Sequence, residues 1–279
     1  MTVRELLRET ETALSRRESA RFDARQLLLG LAKRDAGWLL SHGEDPADED
    51  LIAAVRDGVG RLAAGEPLQY ILGSWDFYGL RFAVGPGVLI PRADTETVVE
   101  AALARLSGVE RPVIWDLCSG SGAIALALWH SRPDAVVTAV ELSEEALPYL
   151  RKNAAALSGG VVRVVAADVL APLPAMRDCD LIVSNPPYIT DVDMAALPPE
   201  VRREPEMALR GGADGLRFYR VLTKSAFSAL RPGGWLLFEI GYDQGESVPA
   251  LLTAAGYQEV FLQPDLAGVP RCAGGRRPL

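Results

Sequence analysis

PVIWDLCSGSGAIALALWH, residues 112–130, is the stretch whose reading decides the fold. An apolar run, PVIWDL, meets the glycine-rich turn Cys118-Ser-Gly-Ser-Gly122, and the apolar segment ALALWH follows. Short apolar runs bounded by turn residues read as buried strands, so the order is strand, loop, helix. Gly120 and Gly122 permit a tight turn and a close approach of a ligand to the backbone. The first turn of the helix beyond leaves N–H groups free to meet that ligand. The alternation continues downstream. AVVTAVEL (135–142), VVRVVAAD (161–168), DLIVSN (180–185) and GGWLLFEI (233–240) read as further strands, and EALPYLRKNAAAL (145–157) and FYRVLTKSAFSAL (218–230) as helices between them. Alternating β and α units imply an α/β fold with a doubly wound, mostly parallel sheet covered on both faces.

Upstream the pattern is different. Val3, Leu6, Leu7, Thr10, Ala13 and Leu14 share one helical face, and Phe22, Gln26, Leu27, Leu29 and Leu31 continue the periodicity. His42 to Pro46 reads as a turn in which Asp45 caps a third helix, with Pro46 its first residue and Leu51, Ile52, Val55, Val59 and Leu62 its apolar face. Residues 1–72 are therefore expected to form a small helical bundle. The segment 73–92, with Gly79 and Gly85-Pro86-Gly87 among aromatic and β-branched residues, is expected to be a β-hairpin linker. A helix is expected to start near Asp94, so that residues 93–279 make up the α/β domain that carries the glycine turn.

The chain has 279 residues, 49% hydrophobic and 24% charged, with a net charge of −8. This composition suits a globular protein with a sizeable core. No apolar run is long enough to span a bilayer, and the charged, amphipathic start is not a signal peptide; a cytoplasmic location is the expectation. Cys118, Cys179 and Cys272 lie far apart, as do His42 and His130, which argues for reduced thiols and against a metal cluster. The acidic balance and the lack of a Lys/Arg-rich stretch speak against direct nucleic-acid binding. They favour a protein or small-molecule substrate.

The glycine turn has partners at the ends of the neighbouring strands. Glu141, ending the second strand, suits the two hydroxyls of a ribose, and Asp168, ending the third, suits an adenine amino group. Asp116, Cys118, Ser119, Gly120, Ser121 and Gly122 would line the nucleoside's path, followed by Val169. The spacing Gly120-x-Gly122-x-x-Ala125 also fits a loose dinucleotide fingerprint, so a nicotinamide cofactor competes at this point. The next motif separates the two. Asn185-Pro-Pro-Tyr188 closes the fourth strand, at the sheet edge where ligands bind. Pro186 and Pro187 stiffen the loop. The Asn185 side-chain oxygen and the Pro186 carbonyl can each accept one N–H of a planar NH2 group, and Tyr188 offers it a flat face. Asn185, Pro186 and Tyr188 are thus the candidate catalytic residues, Asn185 to Tyr188 the candidate substrate-binding loop, and Asn185, beside the nucleoside, a candidate cofactor-binding residue as well.

Together, Asp116 to Gly122, Glu141, Asp168 and NPPY resemble the class I amino-methyltransferases. Further stretches carry the resemblance over nearly the whole chain. Glu66-Pro-Leu-Gln-Tyr-Ile-Leu-Gly73, Gly87-Val-Leu-Ile-Pro-Arg-Ala-Asp-Thr-Glu96, Glu204-Pro…Gly211-Gly…Asp214-Gly-Leu216 and Arg231-Pro-Gly-Gly234 are similar to segments of the peptide chain release factor glutamine methyltransferases. That resemblance implies S-adenosyl-L-methionine as cofactor, N5-methylation of a glutamine in a Gly-Gly-Gln loop of a release factor, and a helical N-terminal domain that helps to dock it. It also suggests that Arg92 helps to hold the cofactor's carboxylate, with a structural ion pair as the other reading. The chain departs from the family pattern at Cys118-Ser119, at Glu141 in place of a commoner Asp, and at Val169 where relatives carry an aromatic. Methylation of a ribosomal-protein glutamine or of an exocyclic amine in nucleic acid stays open on the motif alone, as does a non-catalytic nucleoside-binding module. Glu239 reads as the plain end of the fifth strand.

Overall fold

The computed structural model describes residues 1–173 and 175–279. It divides into two compact units, one formed by Met1–Ser74 with Pro199–Arg203, the other by Trp75–Pro198 with Glu204–Leu279.

The smaller unit is helical: α1 (Val3–Ala13), α2 (Ala20–Ala32), α3 (Ala36–His42), α4 (Glu49–Ala63) and α5 (Leu68–Leu72). A capping box starts α1. The Thr2 hydroxyl accepts the Glu5 N–H at 3.2 Å and the Glu5 carboxylate accepts the Thr2 N–H at 2.8 Å, an arrangement worth about 1 kcal/mol. Val3, Leu6, Thr10 and Leu14 are buried from that end, and Ala24, Leu27, Leu28 and Leu29 from α2. Phe22 is 52% exposed and does not belong to the core. Asp23 takes the inward position beside it, held by Arg17 and by the Ser19 hydroxyl at 2.7 Å each. The expected start of the following long helix also moves. Its N-cap is Asp48, with Glu49 and Asp50 in the first turn, while Pro46 forms an isolated bridge with Thr2. A short helix had no apolar period to announce it: α3 buries none of its residues and is started by Asp35, which accepts the Trp38 N–H at 2.8 Å.

In the larger unit, β1 (Ser74–Phe77) and β2 (Leu80–Ala83) form a hairpin. Tyr78 and Gly79 turn it with positive φ at both positions, as a two-residue hairpin turn demands. Phe77 and Phe82 pack edge to face at 6.1 Å, and both lie in the larger unit's main core. The remaining elements are α6 (Glu96–Arg105), β3 (Val113–Leu117), α7 (Ala123–Ser131), β4 (Val136–Glu141), α8 (Leu147–Ser158), β5 (Arg163–Ala166), β6 (Cys179–Ser184), β7 (Ile189–Thr190), α9 (Glu206–Leu209), β8 (Arg210–Gly212), α10 (Arg217–Ala229), β9 (Leu230–Glu239), α11 (Ser247–Ala254), β10 (Gln258–Pro264) and β11 (Pro270–Arg276).

Seven strands make one sheet in the order β10-β11-β9-β6-β3-β4-β5. The five strands expected from the sequence pair in parallel, and β11 and β10 extend β9 antiparallel. The sheet is thus mostly parallel and α/β, as expected. Period two decides its faces. Ile114, Leu181, Val183 and Leu237 point into one core, with α6, α7 and α8. Trp115, Leu117, Ile182, Leu236 and Phe238 point into the other, with α10 and α11. The last two strands escape an apolar-run reading because β11 contains Gly274-Gly275. A Cβ on Gly274 would stand 2.6 Å from the Phe261 ring, and one on Gly275 2.8 Å from the Tyr257 side chain. Close aromatic packing keeps those positions bare.

Candidate active site

The carboxyl ends of β3, β4, β5 and β6 open onto one cleft of about 970 Å3, counting its open mouth. Parallel strands aim their final residues at such an edge, so side chains distant in sequence converge there. Of the expected residues, Asp116, Cys118, Ser119, Gly120, Ser121, Glu141, Asp168, Val169, Asn185 and Pro187 line the cleft. Gly122, Pro186 and Tyr188 are not among the lining residues; Pro186 is buried and Tyr188 half-buried.

The glycine loop is held from below. Ser119 N–H donates to the Val140 carbonyl at 2.9 Å, and Gly122 N–H to the Ser119 carbonyl at 2.8 Å. Gly120 and Gly122 have φ of +55° and +85°, and Gly122 caps α7. A Cβ at Gly122 would meet the far end of the Leu150 side chain at 2.6 Å, which would have to shift, and the positive φ itself favours glycine there. Cys118 adopts φ +61° without being glycine, a conformation that costs a β-carbon residue on the order of 1 kcal/mol. Burial pushes its thiol well above the usual range, so it offers backbone and not a thiolate.

Glu141 is tied to the backbone on both sides of its strand end. Its carboxylate accepts the Gly120 N–H at 2.7 Å and the Leu142 and Ser143 N–H groups at 2.8 Å each. A carboxylate has about four lone-pair sites, so it still has acceptor capacity facing the cleft. Asp116 is buried, and one oxygen accepts the Ala125 N–H at 3.1 Å while the other has no hydrogen-bond partner among the described residues. Burial pushes its carboxyl up to about 7. Asp168 accepts the Leu170 N–H at 2.8 Å through one oxygen.

The Asn185 carboxamide has no hydrogen-bond partner among the described residues and lies on the cleft wall. The loop that carries it is braced from outside. Gln244 donates from its side chain to the Tyr188 carbonyl and to the Gly215 carbonyl, both at 3.3 Å. Beyond Tyr188, β7 pairs with β8 in parallel, so the Gly211–Gly215 segment lies against the NPPY backbone. A Cβ on Gly211 would stand 2.7 Å from the Tyr188 Cα, and one on Gly215 would collide with the Tyr188 carbonyl oxygen. With φ at +71° as well, Gly215→Ala is expected to cost about 1–3 kcal/mol of stability. Thermal unfolding checks this. A melting temperature equal to that of the parent protein would show that the brace has slack.

Arg92 lines the cleft and pairs with Glu204, whose other oxygen accepts the Ile90 N–H at 3.0 Å. The structural ion pair of the two sequence readings is therefore present, and it fastens the 90–92 loop to the 204–208 segment. Both segments contribute cleft wall that sequence reasoning did not assign: Ile90, Pro91 and Thr95 on one side, Met207 and Ala208 on the other. Leu142, Ser143, Ala146 and Phe218 also line it unforeseen. The first two were within reach of inference, since they directly follow Glu141.

The arrangement can hold a nucleoside over the glycine loop and present one free carboxamide to a second molecule. Comparisons with known proteins agree in kind. Residues 5–73 match the family described as the PrmC N-terminal domain, and residues 95–200 the methyltransferase small domain. The release factor glutamine methyltransferase of Geobacter sulfurreducens is 42% identical over 278 residues, 99% of this chain and 96% of the relative. That of Moorella thermoacetica is 43% identical over 276 residues, 98% and 97% of the two chains. Among solved structures, a methyltransferase from Pyrococcus furiosus aligns with a TM-score of 0.52 at 18% identity, over 79% of this chain and 98% of that one, a likeness of fold.

Proposed function

Because this chain belongs to the release factor glutamine methyltransferase family, we propose that it moves a methyl group from S-adenosyl-L-methionine to the side-chain amide nitrogen of a glutamine in a peptide chain release factor. The observation that carries this reading is the unpartnered Asn185 carboxamide on the cleft wall, beside the glycine loop and Glu141.

The residues present fit the cofactor. The cleft is lined by apolar side chains with a few convergent polar groups, as small-molecule sites are, and nothing lies within 4 Å of a Cβ built on Gly120, so a ligand has backbone access there. In this reading Glu141 accepts the ribose hydroxyls, Asp168 the adenine amino group, Val169 packs on the base, and the loop from Asp116 to Gly122 surrounds the amino-acid portion. The bound cofactor supplies an electrophilic methyl group on a positively charged sulfur.

The protein's part is to place and polarise the amide. An amide nitrogen is a weak nucleophile because its lone pair is shared with the carbonyl. Asn185 Oδ1 and the Pro186 carbonyl accept its two N–H bonds, which fixes the plane of the group and favours positive charge on nitrogen. Holding two reacting groups in place contributes up to about 7–11 kcal/mol. Tyr188 and the two prolines keep the loop stiff. The proton leaves to water once the nitrogen carries the new bond, and no side-chain base is needed.

Labelled cofactor and a purified release factor, followed by peptide mass spectrometry, test the reading. Label on a glutamine of the release factor is the expected result. Label absent there and present on a ribosomal protein or on nucleic acid would replace the substrate. The helical unit is proposed to dock the release factor, and the protein to act in the cytoplasm. A fragment starting at Trp75, which keeps the core residues Phe77 and Phe82, is expected to bind cofactor like the full chain yet methylate a release factor at least about tenfold more slowly, the loss of one modest contact region. Equal rates would remove the docking role.

A further inference from the structure

Behind the NPPY loop lies a carboxyl group that the reading above does not use. Ser184 pairs with Phe238 in the β6–β9 register, so the next residues along, Asn185 and Glu239, leave the sheet side by side, about one strand spacing apart. Glu239 is 2% exposed. The Thr95 side chain, itself part of the cleft wall, lies beside its carboxyl, and its Oε2 has no hydrogen-bond partner among the described residues. The nearby cations are committed elsewhere: Arg271 to Asp94 at 3.0 Å and to Asp265 at 3.5 Å, and Arg92 to Glu204. A buried carboxyl without a bonded cation weakens the fold, so stability does not account for it.

We propose that Glu239 is an electrostatic positioning residue for methyl transfer, its buried carboxylate making the potential at the NPPY loop more negative and so favouring the positive charge that passes to the substrate nitrogen. The inference rests on the proposed amide methylation. As the methyl carbon exchanges its bond to sulfur for one to nitrogen, the positive charge goes with it, and the nitrogen then releases one proton to water. Glu239 gains and loses no atom. It acts through its field.

The groups facing Glu239 are Arg92, Asp94 and Thr95 from the segment before α6, Arg271 and Cys272 from β11, Tyr188 from the NPPY loop and Tyr219 from α10. Burial raises its carboxyl to about 7, with Asp94 adding to the rise and Thr95, Arg271 and Arg92 opposing it. The charge is therefore present above that pH and lost below it.

Two measurements test the role. Single-turnover methylation of a release factor by Glu239→Gln, which keeps size and an acceptor for Thr95, is expected to fall roughly tenfold at about pH 8 with cofactor affinity little changed, the scale of one buried charge. The second needs no protein substrate. Sinefungin carries an ammonium where the cofactor carries its methyl group, and S-adenosylhomocysteine carries neither. By calorimetry, the parent protein is expected to favour sinefungin over S-adenosylhomocysteine several-fold more at about pH 8 than at about pH 6, and Glu239→Gln is expected to abolish the difference. A variant matching the parent in both measurements overturns the role. Should the variant fail to fold, Asp116→Asn decides: a pH step that survives there belongs to Glu239, and one that vanishes belongs to Asp116. A flat profile in the parent protein also overturns it. A parent enzyme that leaves release factors unmethylated, yet shows the charge preference, overturns the proposed substrate and not Glu239.

Discussion

Asn185→Ala is expected to slow methyl transfer a hundredfold to a thousandfold while leaving cofactor affinity nearly unchanged. The variant deletes one of two acceptors for the substrate amide and touches none of the bonds that shape the nucleoside side: Glu141 keeps its three N–H donors and Asp116 its bond from Ala125. Removing one preorganised polar contact at a reacting centre costs on the order of 2.7–4 kcal/mol. The fold should tolerate it, because the carboxamide has no protein partner to lose among the described residues and the loop is braced by Gln244, Gly211 and Gly215. Single-turnover rates and calorimetric titration on the same preparation separate the outcomes. Near-normal turnover would reduce NPPY to a structural turn. Normal chemistry with badly weakened cofactor binding would make Asn185 a cofactor residue alone.

Glu141→Ala is expected to weaken cofactor binding by about 10- to 150-fold, from the loss of a charged acceptor worth about 1.5–3 kcal/mol to its ligand. A second loss adds to the first. The same carboxylate gathers the N–H groups of Gly120, Leu142 and Ser143 at 2.7–2.8 Å, so the variant also frees the glycine loop from the end of β4. Glu141→Gln separates the two effects. It keeps one acceptor and lacks the charge, and its affinity is expected to fall between the others. Equal dissociation constants for all three proteins would show that the ribose lies elsewhere.

Much of this site could be read from local pattern because its chemistry is local. A strand, a glycine turn and a helix follow one another within residues 112–130, and that turn supplies part of the cleft wall. NPPY is as compact: two prolines restrict four residues wherever they occur. The five parallel strands were legible for the same reason, since strands buried on both faces are short apolar runs. Where burial is partial the pattern fails. Phe22 faces water while Asp23 faces the core of its unit, because Arg17 and Ser19 satisfy the carboxylate. β11 offers no apolar run to read, and only the fold sets the rings of Tyr257 and Phe261 against its glycines.

Residue type and spacing alone were enough for the mostly parallel α/β sheet and for the meeting of the glycine turn, Glu141, Asp168 and Asn185 at one end of its strands, since each closes a strand read from consecutive residues. Three properties required the folded chain. Arg92 meets Glu204 across 112 positions and becomes part of a wall joining two loops. Asp116 and Glu239 stand at or near strand ends, and only burial in the folded chain raises their carboxyl groups to about 7. The glycines at 211 and 215 matter because another segment, the backbone of Tyr188, occupies the space of their missing side chains. Desolvation and close contact depend on what the rest of the chain brings to a residue, and neither is present in a run of neighbours.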